Sequence, residues 1–204
     1  MEKMLFEGVV TSIQPRIRVL RSFDRDSPSY LGYALTLLDA TSGRTYSIGI
    51  GVGSQQKHQF RVGMTISGSC IAVLEPYLES VDYYRASKLK KLFESPEDRT
   101  SPPWKIVPPP ISVYRSLSPR SLSAKAYEKA CQSCIWGCRM AVEIITEEGP
   151  EEQRYRMETF CYGPKSCKLY TSGPIRKVPG RGGMVYEEED WVYEMLTSHR
   201  EEDT

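Results

Sequence analysis

Three observations predict a mainly β (α+β) fold: a small five-stranded barrel followed by a cysteine-rich β-hairpin module with one short helix. Five runs rich in Val, Ile, Thr and Tyr occupy the first 95 residues. A proline-dense stretch then interrupts the pattern. Five of the six cysteines fall within residues 131–167, on either side of a second pair of β-rich runs.

The first run, Leu5 to Leu20, has the β-branched composition that suits a pleated, half-buried surface. Leu31 to Asp39 and Arg44 to Ile50 flank Ala40-Thr41-Ser42-Gly43, which predicts a hairpin with a compact turn. In its second arm Arg44, Tyr46, Ile48 and Ile50 alternate with Thr45, Ser47 and Gly49, so one face is bulkier than the other. Gly51 to Phe60 is polar and reads as a loop or a short helix. Met64 to Leu74 predicts a fourth strand, entered through Arg61-Val62-Gly63. Asp82 to Leu92 predicts a fifth, although Lys88-Leu89-Lys90-Lys91-Leu92 also suits the start of a helix. Five short strands in about 90 residues suit a small closed or partly open barrel. Their order and spacing, with Phe60-Arg61-Val62-Gly63-Met64-Thr65-Ile66 entering the fourth, resemble an oligonucleotide/oligosaccharide-binding (OB) fold over residues 5–95.

Ser95 to Ile111 holds six of the fourteen prolines, including Pro102-Pro103 and Pro108-Pro109-Pro110. Proline fixes φ and lacks the backbone donor, so this stretch reads as a semi-rigid spacer, with Trp104 as an anchor onto one domain. Beyond it, Ser121 to Ala130 predicts a helix with Ser121 or Ser123 as its N-cap. Arg139–Ile145 and Arg154–Phe160 predict a second hairpin around Gly149-Pro150. The expected organisation is a barrel at 1–95, a linker at 96–118, a cysteine-rich module at 119–186 and an acidic tail at 187–204.

The cysteines carry the sharpest chemistry. Cys131, Cys134 and Cys138 precede the hairpin, and Cys161 and Cys167 follow it. Pairing around Gly149-Pro150 sets Cys138 opposite Cys161, so the open end of the hairpin gathers both groups. Dense thiolates are costly to bury without a cation, and zinc takes four sulfur ligands tetrahedrally. The arrangement of C-x2-C, hairpin and second cysteine pair resembles a zinc ribbon over residues 131–167. It departs from that pattern in its C-x5-C second pair and in its fifth cysteine. Cys161 and Cys167 are two expected ligands; the other two come from Cys131, Cys134 and Cys138. An iron–sulfur cluster is the alternative occupant, since C-x2-C-x3-C with a distant cysteine approaches cluster spacing. Cys70, alone in an alternating strand, reads as a small core residue.

The net charge of +1 hides an asymmetry. Residues 1–95 carry 12 Lys/Arg against 9 Asp/Glu, and residues 96–186 carry 14 against 9. Residues 187–204 hold one arginine against eight acidic residues. A moderately basic body favours polyanions, and nucleic acid is the commonest. No apolar run approaches the ~20 residues that cross a bilayer, and Met1 to Gly8 lacks the long apolar core of a secretory signal. The chain therefore reads as cytoplasmic, where thiols stay reduced.

No nucleophile elbow, phosphate loop, zinc-protease helix or dinucleotide fingerprint occurs, and the two histidines are His58 and His199. The expectation is therefore a non-enzymatic protein. Single-stranded nucleic acid binds small barrels through a basic groove and aromatic platforms. The candidates are Arg16, Arg18 and Arg21 on the first strand, Tyr33, Arg44 and Tyr46 around the first hairpin, and Tyr83, Tyr84, Arg85, Lys88 and Lys90 on the fifth strand. In the second module Lys165, Lys168, Tyr170, Arg176, Lys177 and Arg181 add a basic, Pro/Gly-rich loop. Two further functions remain open at this point: a protein–protein adaptor within a larger complex, suited to the tyrosine-rich surface and acidic tail, and an iron–sulfur redox protein.

Overall fold

The computed structural model describes residues 2–22, 25–94, 101–145 and 154–200. It is mainly β, 45% strand and 20% helix, and is organised by one large mixed sheet. Strand β1 (Met4–Arg21) is the hub. It pairs antiparallel with β2 (Asp26–Leu38) over most of its length, and with β4 (Thr65–Ala72) through Met4–Val9. β2 pairs with β3 (Thr45–Ile50), β3 meets β5 (Tyr83–Phe93) in parallel at Ile48 and Tyr83, and β5 pairs with β4. The pairing thus runs β1–β2–β3–β5–β4 and returns to β1.

Asp39 closes the turn between β2 and β3 by accepting from the backbone N–H groups of Thr41 and Ser42, both at 2.8 Å. The polar stretch after β3 is helix α1 (Val52–His58). Its hydrophilic look comes partly from Gln55, a buried residue whose amide donates to the Phe60 carbonyl at 2.9 Å. Gln59 ends the helix in the left-handed region at φ 51°.

A bulge in β1 between Val10 and Ser12 changes the phase of the strand. Val10 and Ile13 consequently both enter the core, with Leu35, Leu37, Ile48, Phe60 and Ile66. Ser12 and Gln14 are turned to the opposite side, where the cysteine segment covers them. The C-terminal end of β1, Arg18–Arg21, pairs in parallel with β7 (Gly137–Ile144). β7 pairs with β8 (Arg154–Cys161), and the two-residue β6 (Arg120–Ser121) adds to β8. The core is shared: Cys138, Met140, Val142, Phe160 and Tyr162 belong to the same buried cluster as Val10 and Leu35.

Several expectations change here. Cys161 stands opposite Gly137, and Cys138 opposite Phe160, one step from the expected register. Side chains alternate between faces, so a slip of one residue carries Cys138 to the opposite face from the one expected. The expected turn at Gly149-Pro150 lies outside the described residues. The helix expected over Ser121 to Ala130 begins later, as α3 (Ala124–Ala126), and runs on as a π-helical turn over Tyr127–Cys131. Ser123 occupies the N-cap position but makes no side-chain cap bond. Within the proline stretch, residues 101–118 are partly buried. Trp104 lies against the core, and α2 (Ile111–Ser116) buries Tyr114, whose hydroxyl donates to the Ile135 carbonyl at 2.8 Å.

After β8 come β9 (Lys177–Pro179) and β10 (Val185–Glu187), an antiparallel pair, and helix α4 (Asp190–Thr197). The chain then folds back, with Arg200 buried and donating to the Ser118 carbonyl at 3.1 Å. Among the described residues no helix is long and apolar enough to cross a membrane.

Candidate metal centre and adjoining groove

All six cysteines are free thiols. Cys131 ends the π turn, Cys134 follows in a tight loop, Cys161 ends β8 and Cys167 lies in the loop beyond it. These four line one cavity of about 10 Å³, walled by Trp104, Trp136 and Tyr170. Among the described residues no group of three or more His, Cys, Asp or Glu side chains is drawn together in metal-holding geometry. The four thiols therefore surround a shared space without being closed into a ligand shell.

Cys138 is separate. It is wholly buried in the main core, and its thiol donates to the Pro15 carbonyl at 3.2 Å. Burial pushes its pKa well up. A protonated thiol used as a hydrogen-bond donor is a structural group, not a ligand. The fifth cysteine is thus set apart by the strand register described above.

The four cavity thiols have two opposing electrostatic influences. Burial pushes Cys131 up to about 12, and the neighbouring Cys134, Cys161 and Cys167 add to the rise. Cys134 is pushed up to about 11 by burial, against the pull of backbone N–H groups from Trp136, Trp104 and Gly137. Gly163 N–H likewise donates to Cys161 Sγ at 3.3 Å. Backbone donors aimed at sulfur favour thiolate, while burial and mutual repulsion oppose it; a bound cation reverses the second influence. The donor set therefore fits a soft, thiolate-binding ion.

The loop carrying Cys131 and Cys134 is pinned to β1. Gln14, buried in the middle of that strand, donates from Nε2 to the carbonyls of Cys131 (2.8 Å) and Cys134 (2.9 Å). Its Oε1 accepts from the Tyr127 hydroxyl at 2.6 Å. Ser12 donates to the Gln132 carbonyl. Gly137 has to be glycine here, because a Cβ would stand 2.5 Å from the Cys131 oxygen and 2.6 Å from Gln14 Nε2. Residue pattern does not mark Gln14 and Ser12 as site residues. The one available signal is a glutamine inside an otherwise apolar run.

The same pinned segment forms one wall of a groove of about 980 Å³. Tyr127, Lys129, Gln132 and Arg139 stand on that side. Thr36, Tyr46, Ser47 and Tyr83, from the β1–β5 circuit, stand on the other. Tyr46 and Tyr83 pack edge to face with centroids 6.0 Å apart. Three acids line the groove; Glu128 is exposed, and the other two are already engaged. Glu79 accepts from Arg16 at 2.7 and 2.9 Å and from Arg18 at 3.0 Å, and Asp82 accepts from Ser47 N–H at 2.7 Å.

The nucleic-acid candidates therefore divide. Arg16 and Arg18 are bound to Glu79. Arg21 is 2% exposed and held between Asp26 and Glu158, at 2.8 and 2.7 Å. Tyr33 is buried, its hydroxyl donating to the Pro109 carbonyl at 2.7 Å. Arg44, Arg85, Lys88 and Lys90 are exposed, Tyr46 and Tyr84 are half-buried, and Arg85 lies over the Tyr84 ring at 5.4 Å. In the second module Arg176 is buried against Asp26 and the Ser22 carbonyl, and Lys177 pairs with Glu187. No protein-family model, curated protein or solved structure is similar enough to this chain to count as a match.

Proposed function

We propose that this chain is a non-enzymatic protein that binds single-stranded nucleic acid in the groove between the β1–β5 circuit and the cysteine-pinned segment. The observation that carries the reading is that groove, about 980 Å³, with Tyr46, Tyr83 and Tyr127 as ring surfaces and Lys129 and Arg139 as cations. A returning five-strand circuit with a helix between its third and fourth strands supports an OB-like barrel. Every base has a π-face, so tyrosine platforms accept a strand without reading its sequence, and the cations answer its phosphates.

Cys131, Cys134, Cys161 and Cys167 would hold a structural zinc ion. Its part is to compensate the thiolates and fix the far wall of the groove. A cavity of about 10 Å³ suits a single ion better than an iron–sulfur cluster, since a single water already needs roughly 10–15 Å³. Metal analysis of the purified protein is expected to give one zinc per chain and no visible absorption band.

The test of function is fluorescence anisotropy with labelled single-stranded DNA and RNA over a salt series. Affinity is expected to fall steeply with salt, with a log–log slope of about −0.7 for each phosphate neutralised. Tyr46→Ala is expected to weaken binding by ~1–3 kcal/mol, the worth of one stacked base. Absence of binding to either polymer at low salt overturns the reading.

A further inference from the structure

The groove is bordered by carboxylates, which a polyanion ordinarily avoids, and one of them is held in place with an oxygen unused. Glu79 is compensated twice, by Arg16 and Arg18. Glu128 is exposed on the opposite wall, in the π turn. Asp82 differs from both. Its Oδ2 accepts from the Ser47 backbone N–H at 2.7 Å and from the Ser47 hydroxyl at 2.8 Å. The Ser47 oxygen accepts in turn from the Asp82 N–H at 3.0 Å. These reciprocal bonds fix the side chain before a ligand arrives. Among the described residues no cation pairs with Asp82 and nothing donates to its Oδ1. The residue is exposed on the groove lining, so that oxygen keeps its acceptor capacity.

Tyr46 and Ser47 are consecutive in β3, and Asp82 immediately precedes Tyr83, the first residue of β5. The edge-to-face ring pair and the Ser47–Asp82 pair are thus neighbours on one wall. Consecutive Cα atoms are about 3.8 Å apart. A base on the ring surface therefore brings its own sugar, one bond away, within reach of the carboxylate. A carboxylate is an acceptor only, and it repels phosphate. Deoxyribose has no donor to offer it. Ribose offers the 2′-hydroxyl, which is both donor and acceptor. RNA offsets the repulsion with a charge-assisted bond, whereas DNA meets the repulsion alone.

We propose that the groove selects RNA over DNA, with Asp82 Oδ1 accepting a hydrogen bond from a ribose 2′-hydroxyl. Ser47 is the positioning residue that holds the carboxylate. This selection rests on the strand-binding reading of the groove and narrows its substrate to RNA. Base amino and imino groups are the other donors of a strand, but DNA and RNA share them.

The experiment is fluorescence anisotropy on the full chain at one low salt concentration, with labelled oligouridine, oligodeoxyuridine and 2′-O-methyl oligouridine of equal length. Base and phosphate count are the same in all three, so the sugar is the variable. Oligouridine is expected to bind about tenfold more tightly than oligodeoxyuridine, the scale of one hydrogen bond to a charged group. The 2′-O-methyl strand keeps the oxygen, lacks its proton, and is expected to fall to the deoxy level or below. Asp82→Ala is expected to bring RNA and DNA level, with oligodeoxyuridine bound at least as tightly as by the parent protein. Ser47→Ala is expected to give an intermediate ratio, because the backbone N–H still holds the carboxylate. Glu128→Gln is expected to strengthen both strands and leave their ratio alone. Equal binding of the two sugars by the parent protein, or an unchanged ratio in Asp82→Ala, overturns the RNA proposal and leaves strand binding standing. Equal binding of the sugars with a preference among homopolymers assigns Asp82 to a base edge and likewise overturns it. No binding of any strand removes the groove reading and this selection with it.

Discussion

Leu35, Leu37 and Ile48 are carried by strands of 13 and 6 residues and are wholly buried among apolar neighbours. Cys131 and Cys134, by contrast, are carried by a π turn and a loop that follow a three-residue helix. That segment is held by polar pins: Gln14 to two carbonyls, Ser12 to a third, Tyr127 to Gln14. The first region is held by apolar side chains that belong to one buried cluster. The second presents four thiols to one cavity from loops and strand ends. A shared core joins the two, so disturbance in the cysteine segment reaches the circuit through Cys138, Met140 and Phe160.

Metal removal gives the widest separation between the regions. Structural zinc in small modules is worth roughly 10–16 kcal/mol in apparent binding energy. Cys161→Ser is expected to abolish metal binding and to release hydrogen-exchange protection in β7 and β8, while β2 and β3 keep theirs. Cys138→Ala is expected to retain one metal per chain and to cost its packing and its bond to the Pro15 carbonyl, about 1–2 kcal/mol. Loss of metal in Cys138→Ala would erase the distinction between the two kinds of cysteine.

The reciprocal disturbance is Leu35→Ala. Truncating a fully buried leucine costs about 2–5 kcal/mol, and urea denaturation should register it for the whole chain because the core is continuous. A transition confined to the first 95 residues would show that the shared cluster does not couple the two regions.

Gln14→Ala probes the join between them. It removes three hydrogen bonds and leaves the Cys131 and Cys134 carbonyls with only their turn donors, the N–H groups of Cys134 and Gly137, a loss of about 2–4 kcal/mol. Metal stoichiometry is expected to stay at one, since no thiol is lost. Binding of a single strand is expected to weaken, because Tyr127 and Gln132 form a groove wall that depends on this residue. Strand binding as tight as in the parent protein would mean that the pinned wall is not part of the binding surface.

Much of the circuit is legible in the amino-acid sequence, because it rests on local pattern. The turn after Asp39, the alternation from Arg44 to Ile50 and the apolar entry at Met64 each reflect strand chemistry that residue types report directly. Cysteine spacing likewise marks Cys131, Cys134, Cys161 and Cys167. What the sequence hides depends on pairing across distance. The register of β7 and β8 slips by one, and nothing in the spacing of Cys138 distinguishes a thiol facing the cavity from one facing the core. The partners of Arg16 and Arg18 lie some sixty residues away at Glu79, so three arginines that read as a basic cluster are all ion-paired, and Arg21 is buried as well. Gln14, polar in an apolar run, is a clue with structural meaning, whereas Gln55 is hidden among polar neighbours; each is buried and hydrogen-bonded.

The smallest expected effect separates the regions by pH. Cys70, buried in β4 and away from the cysteine cavity, has its pKa pushed from 9.0 to about 11 by burial. Its folded pKa is thus above its unfolded value, so its contribution is complete below about pH 9 and declines as pH rises towards 11. The cysteine segment has the opposite sign when metal-loaded, because protons compete with the metal for thiolate and weaken it on acidification. Urea midpoints measured from pH 8 to 11 are therefore expected to fall in the parent protein, and Cys70→Ala is expected to flatten part of that fall after allowance for its lower starting stability. An identical alkaline slope in Cys70→Ala would assign the fall to other buried groups, of which Cys138, pushed up by burial from the same 9.0, comes first.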